Sequence, residues 1–252
     1  MQRYFVPQEN WKSEQVFITN DDFHHITRVM RFKEDDSLIC NHPDGRAYIC
    51  EISGIEKNQV VAVIREKLEG SAELPVGVTI AQGLPKGDKM ELIIQKGTEL
   101  GAASFIPFQA DRSIVVWNGK KMEKKLERYS KITKEASEQS HRNKIPNIHQ
   151  TMSLSELLEE SAPYDVKIFP YEEEAKGSQR PSFGKVLKDI HPGQHIFACI
   201  GPEGGFSPKE AEQLISHGFH PVRLGPRILR TETAALYVLA SISYHFEELR
   251  CQ

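Results

Sequence analysis

Long apolar runs are missing from this 252-residue chain. No stretch approaches the roughly 18 apolar residues that a membrane span needs. The opening MQRYFVPQENWKSEQ also lacks the uninterrupted apolar segment of a secretory signal. Both absences predict a cytoplasmic protein that does not enter a membrane. Cysteine is scarce: Cys40, Cys50, Cys199 and Cys251 show no C-x-x-C spacing, which argues against a zinc ribbon or redox motif. Cys199 lies in the apolar run HIFACI and reads as a small core residue. Positive charge is not in excess either. The net charge of −3 excludes a globally basic nucleic-acid binder, though not a local basic face. No internal repeat and no low-complexity tract is present.

What is there is a globular composition, 39% hydrophobic and 27% charged, with material for a core. Residues 1–70 read as short strands: RYFV, QVFI, DSLICN, RAYICEIS and QVVAVIREK. Asp44-Gly45 marks a hairpin turn. In DDFHHITRVMR, Phe23, Ile26, Val29 and Met30 recur at helical spacing and predict a short amphipathic helix. Several strands with one helix predict a small β-barrel domain, closed by a linker near Leu68–Pro75.

From Val76 onward strands alternate with helices. VTIAQGL, SFIPFQA, DVKIFPY, HIFACI and PVRL are the strands. Helices are expected over KGDKMELIIQKGTELG, about 120–139, 208–217 and about 232–249. This pattern predicts a mostly parallel sheet covered on both faces. Residues 172–185 read as a mobile surface loop. Charge is uneven: from Arg112 to Lys144 ten Lys and Arg face four acids, an excess of six positive charges.

The chemistry concentrates in Gly201–Ala235. HIFACI-GPEGG-FSPKEAEQLI is a strand, a glycine turn and a helix start. Ser207 is the expected N-cap, Pro208 the first helical residue and Glu210 the partner in a capping box. Gly201, Gly204 and Gly205 are expected to admit positive φ and close approach to a ligand. The loop matches neither G-x-G-x-x-G nor a Walker loop, and Glu203 sits inside it, so a di- or triphosphate fits poorly. PVRL-GPRILR-TETAALYVLASI repeats the strand–loop–helix form, with Thr231 or Thr233 as cap. Ala234, Ala235, Val238, Leu239, Ile242 and Phe246 form a broad apolar helix face. Two Gly-Pro loops at strand ends, with a third junction at Phe169-Pro170-Tyr171, predict opposite walls of one pocket. The bland alternative is a pair of tight turns with no ligand. Paired His24 and His25 have no carboxylate or cysteine at ligand spacing, so a structural role is expected and no metal site.

GPEGGFS and LGPRILRTETA, together with RYFV, HHITRVMR, KGDKMELIIQKGTELG, ADRSIV and EASEQSHRNKIP, resemble the RsmE-type 16S ribosomal RNA uridine-N3 methyltransferases of the SPOUT superfamily. Lys89 and His141 depart from the pattern expected there. The resemblance implies an α/β fold, with a PUA-like β-barrel over residues 1–70 that grips RNA. A SPOUT trefoil-knot methyltransferase domain would span residues 75–252. It implies S-adenosyl-L-methionine held by Pro170, Gly201, Pro202, Glu203, Gly204, Gly205, Leu224, Gly225, Ile228 and Leu229. Partners would be 16S rRNA or the small ribosomal subunit and a second copy of the chain, with no membrane and no metal. The last helix is a natural part of that homodimer interface. Arg230 is expected to stabilise the uracil anion, with Glu232 or Glu138 as base or orienting carboxylate. Arg3, Arg28, Arg31, Arg112 and Arg142 are candidate RNA contacts. Two other readings stand beside this one: a SPOUT enzyme acting at another RNA position, and a non-catalytic RNA-binding assembly factor.

Overall fold

The computed structural model describes residues 1–117, 119–171 and 182–249, and within these the side chains of Lys120 and Lys121 are left out. The predicted loop at 172–185 therefore lies mostly outside the described residues. Its last part is corrected: Phe183–Lys188 is a helix, because Phe183 and Leu187 are buried one turn apart and anchor it. The chain divides into two compact units, Met1–Glu73 with Ser137–Ile145, and Leu74–Ala136 with Pro146–Gln252.

The first unit is a curled half-barrel built on a six-stranded sheet. Its strands are β1 (Arg3–Phe5), β2 (Trp11–Lys12), β3 (Gln15–Thr19), β4 (Ser37–Asn41), β5 (Ala47–Ile55) and β6 (Gln59–Leu68). They lie in the order β1-β4-β5-β6-β3-β2, antiparallel except for β1 on β4. Alternating residues such as Val16 and Ile18, Cys50 and Ile52, Val60 and Ala62 face one core, as period-two strands require. The hairpin turns at Gly45, whose φ of +90° suits a residue without a Cβ. Helix α1 (Asn20–His24) runs into a π-helical turn over His25–Met30. The wider turn breaks the expected apolar stripe: Ile26 is buried, but Val29 and Met30 are exposed.

Ser137–Ile145 completes this unit through the Glu73 carboxylate and two side-chain bonds, Asn41 to the Arg142 carbonyl and Asn143 to the Gly45 carbonyl, both at 2.9 Å. Glu73 accepts from the amides of Asn143 and Lys144, both at 3.0 Å, and pairs with the guanidinium of Arg142. Arg142 is 3% exposed. As an RNA contact it is therefore corrected: its charge is buried and committed to Glu73.

The second unit holds a parallel sheet of seven strands: β7 (Gly77–Gly83), β8 (Ser104–Gln109), β9 (Asn147–Ile148), β10 (Met152–Ser153), β11 (Val166–Pro170), β12 (His195–Ile200) and β13 (His220–Val222). The order is β10-β8-β7-β12-β11-β13, with β9 also on β8. Helices α2 (Lys89–Glu99), α3 (Gly119–Gln139), α4 (Leu154–Glu160), α5 (Phe183–Lys188), α6 (Pro208–Ser216) and α7 (Thr231–Ser243) complete it, α3 ending in the first unit. Both sheet faces are buried, which is why the strands read as apolar runs. Val78, Ile80, Ile196 and Ala198 face one core with α2 and α7; Ala81, Phe197 and Cys199 face the other with Leu214 of α6.

Helix α7 requires a correction. Its apolar face of Ala234, Ala235, Val238, Leu239 and Ile242, continued by Phe246 in the π-helical turn Tyr244–Leu249, is buried within this chain, so it is not free for a second copy. Gly97 of α2 makes the approach possible: a Cβ there would stand 2.8 Å from Phe105 and 3.3 Å from Leu239. The large hydrophobic residues that stay exposed along this last stretch, among the described residues, are Tyr237, Tyr244 and Leu249.

Candidate functional site

The carboxyl ends of β11, β12 and β13 open into one cleft of about 600 Å³. Its walls are Pro170 and Tyr171 after β11, Ile200–Phe206 after β12, and Val222–Thr231 after β13. Lys89, Arg112 and Ala234 complete the lining. A strand-end position and this volume are those of a small-molecule site.

The first wall is set by helix α6. Ser207 Oγ accepts from the Glu210 amide, and Glu210 Oε2 accepts from the Ser207 amide at 2.7 Å. The second Glu210 oxygen accepts from the Asp111 amide at 2.8 Å, and Ser207 Oγ donates to Asp111 at 2.7 Å. A 1%-exposed carboxylate is thus fully bonded at the positive end of a helix. These bonds bring Arg112 to the wall, where its guanidinium donates to the Gly204 carbonyl at 3.0 Å. Of the three loop glycines, only Gly205 has positive φ, at +65°. Gly201 and Gly204 serve instead by close approach: a Cβ on Gly204 would meet Arg112 Cβ at 3.0 Å, and one on Gly201 would meet Gly205 at 3.2 Å.

The second wall starts at Gly225, with φ of +86°, and ends in α7. The N-cap is Arg230, with no side-chain cap, so neither threonine caps the helix as expected. Thr231 does something else. Its hydroxyl donates to the Gly201 carbonyl at 2.6 Å and accepts from the buried Gln82 amide at 2.8 Å, tying the two walls at their base.

Electrostatically the lining is mostly cationic, with Lys89, Arg112, Arg223, Arg227 and Arg230 against Glu203. Arg230 is exposed and makes no ion pair among the described residues. Lys89 Nζ lies 2.8 Å from Glu203 and 3.6 Å from Glu232. Burial opposes ionisation of Glu203, but bonds from Lys89 and the Lys86 amide outweigh it and hold its pKa below the ordinary value. The bond to Glu203 holds the Lys89 ammonium above its own. Among the described residues no group of His, Cys, Asp or Glu is arranged to hold a metal ion.

All ten residues expected at the cofactor line this cleft, and Arg230 does too. Glu232 does not; its carboxylate is turned to Lys89. Glu138 belongs to the first unit, where, after burial itself and Asp22, it helps raise the pKa of the Tyr4 hydroxyl. Arg112, expected at RNA, stands in the wall. Arg3, Arg28 and Arg31 belong to the first unit; Arg28 and Arg31 are exposed, and Arg3 is half-buried with its guanidinium 3.4 Å from Asn41. His25 Nδ1 shares a 3.0 Å hydrogen bond with the Tyr4 hydroxyl. Lys89 was not singled out for the site from sequence. The signals were its departure from the family pattern and its place at the start of α2, where a cation opposes the helix dipole.

A family model described as an RNA methyltransferase domain matches residues 72–243, and one described as an RNA methyltransferase PUA domain matches residues 18–65. Ribosomal RNA small subunit methyltransferase E of Bacillus subtilis (strain 168) is 45% identical over 253 residues, covering 99% of both chains. The protein of that name from Synechocystis sp. is 32% identical over 96% of this chain and 77% of its own. Among solved structures, a ribosomal RNA small subunit methyltransferase E from Neisseria gonorrhoeae bound to S-adenosyl methionine superposes with a TM-score of 0.83. It is 29% identical, and 97% of each chain is covered. No described helix is long and apolar enough to cross a membrane.

Proposed function

Because this chain belongs to the ribosomal RNA small subunit methyltransferase E family, we propose that it methylates N3 of a uridine in 16S rRNA, using S-adenosyl-L-methionine held in the strand-end cleft. The observation that bears the most weight is that cleft: two loops from successive parallel strands, joined at their base by Thr231, with an exposed arginine at the rim.

The lining suits this cofactor. Leu224, Pro226, Leu229 and Ala234 offer apolar surface for an adenine ring, the glycine loop brings backbone groups close, and the cations suit a carboxylate. S-adenosylmethionine supplies, when bound, an electrophilic methyl group on a sulfonium. The residues present must do the rest. Uracil N3 carries a proton at neutral pH, and its loss leaves negative charge on O2 and O4. Arg230, an always-charged donor fork with no ion-pair partner among the described residues, stabilises that charge. Glu232, two residues on in the first turn of α7, serves as an orienting carboxylate rather than a direct contact, since it stands behind Lys89.

The first unit grips RNA through exposed cations that include Arg28 and Arg31. The second unit is a trefoil knot of the SPOUT type. The path of α7 supports this, since it leaves edge strand β13 and packs back on β7, β12 and α2. The enzyme acts as a cytoplasmic homodimer, using surface that includes Tyr237 and Tyr244 instead of the apolar face of α7.

Reverse transcription across 16S rRNA from cells with and without the protein tests the proposal. N3 methylation blocks Watson–Crick pairing, so one polymerase stop should vanish in the deletion strain and return with the wild-type gene. An unchanged stop pattern would refute the N3 assignment. Calorimetry with S-adenosylmethionine separates an enzyme from an inert assembly factor, which would bind none.

A further inference from the structure

We propose that Lys89 is a positioning residue that holds the two walls of the cleft at their working separation. The inference rests on the reading of the cleft as the cofactor site.

Four observations lead to it. Lys89 is the first residue of α2, where the helix dipole disfavours a cation, so helix stability does not explain it. A locally unfavourable choice of this kind is expected where function intervenes. Its ammonium lies 2.8 Å from Glu203, inside the glycine turn of one wall, and 3.6 Å from Glu232, in the first turn of the helix that ends the other. An ammonium has three donors, enough to serve both carboxylates and still face the cleft it lines.

The third observation concerns Glu203. Its side chain reaches beyond its own loop: Oε1 accepts from the Lys86 amide at 3.0 Å and from Lys89 Nζ. The glycine turn is therefore tied to the segment before α2, through one side chain. Fourth, Glu232 Oε2 is buried without a hydrogen bond and has Lys89 as its neighbouring cation. The three side chains are 28%, 30% and 15% exposed, which screens them less than a surface pair. Without Lys89, Glu203 and the half-buried Glu232 would lose the cation that stands between them, and each would turn toward water. Both walls would move with them.

The test uses the full-length protein and four variants: Lys89→Met, Lys89→Arg, Glu203→Gln and the double variant Lys89→Met/Glu203→Gln. Calorimetry reads affinity for S-adenosylmethionine, and amide hydrogen exchange without cofactor reads mobility at Gly205. Lys89→Met and Glu203→Gln should each weaken binding about tenfold and speed Gly205 exchange by a similar factor. The double variant should be no worse than either alone, because both remove the same link. Lys89→Arg, which reaches both carboxylates, should return both readouts to within about threefold of wild type. Wild-type affinity and exchange in Lys89→Met, or additive losses in the double variant, would overturn the proposal. If Lys89→Met melts early, Glu203→Gln reads the same link at constant volume. If the wild-type protein binds no S-adenosylmethionine yet exchange responds as described, the cofactor assignment fails and the clamp stands.

Discussion

The hydroxyl of Thr231 donates to the carbonyl of Gly201 at 2.6 Å, across 30 residues of sequence. Gln82, fully buried at the end of β7, donates its amide to the same hydroxyl. Thr231→Val keeps the shape and removes both bonds. The Gly201 carbonyl and the Gln82 amide then lose a partner, which costs about 1–3 kcal/mol. Urea unfolding should show a lower midpoint with an unchanged slope, and affinity for S-adenosylmethionine should fall about tenfold. Thr231→Ser should behave as wild type. Equal affinity in Thr231→Val would mean that this bond does not set the cleft.

Arg230 is exposed at the N-cap position of α7 with no side-chain cap bond, so its loss should spare the fold. If it stabilises charge on the uracil, Arg230→Ala should lower kcat by roughly 10²–10³, the range seen when one oxyanion donor is removed. Affinity for the cofactor should change little. Single-turnover methylation of small-subunit RNA reads the first effect and calorimetry the second. A normal single-turnover rate would remove Arg230 from the chemistry.

The cleft walls were legible because their signals are local. S-x-x-E, Pro208 and the glycines specify a strand–turn–helix from adjacent residues, and the Ser207–Glu210 box forms as read. The Thr231 bond and the Lys89 node were not legible, because each joins residues more than 25 apart and depends on which strand ends the sheet brings together. Arg142 illustrates the same limit. In EASEQSHRNKIP it looks like a solvated cation, and its burial beside Glu73, 69 residues away, does not show there. The apolar face of α7 shows a third case: periodicity marks it for burial but does not say whether α2 or a second copy covers it.

Glu73 compensates the buried guanidinium of Arg142 and accepts two backbone amides besides. Glu73→Ala would take a close carboxylate partner from that buried charge, at a cost of about 3–5 kcal/mol. The first unit should therefore unfold at lower denaturant, visible in Trp11 fluorescence. Replacing both Glu73 and Arg142 by apolar residues should recover part of the loss. Full stability in Glu73→Ala would show that the pair does not hold Ser137–Ile145 in the unit.

The Lys89–Glu203 pair has a pH window whose signs follow from its two shifts. The Glu203 pKa is lowered from its ordinary 4.5, so its contribution is present above that value and is lost as pH falls through the folded value. The Lys89 pKa is raised from 10.5, so its contribution is present below that value and is lost as pH rises through the folded one. Between these limits the pair's contribution should be flat. Lys89→Met should narrow the stability difference from wild type at both extremes. A difference that stays constant at acid pH would mean that Glu203 is not held ionised by this partner.

Arg28 and Arg31 are exposed on the π-helical turn and just beyond it, with Arg31 at a φ of +56°. The bland reading makes them ordinary surface charge. The RNA reading makes a quantitative demand, because each phosphate contact adds to the salt dependence of binding, by about 0.7 in log–log slope for a single strand. Arg28→Ala/Arg31→Ala should therefore flatten the slope by one to two units and weaken binding across RNA sequences alike. Stability should not move, since neither side chain is buried. Filter binding of small-subunit RNA over a series of salt concentrations reads the slope directly. An unchanged slope would leave both arginines as surface residues and move the phosphate contacts to other cations of the chain.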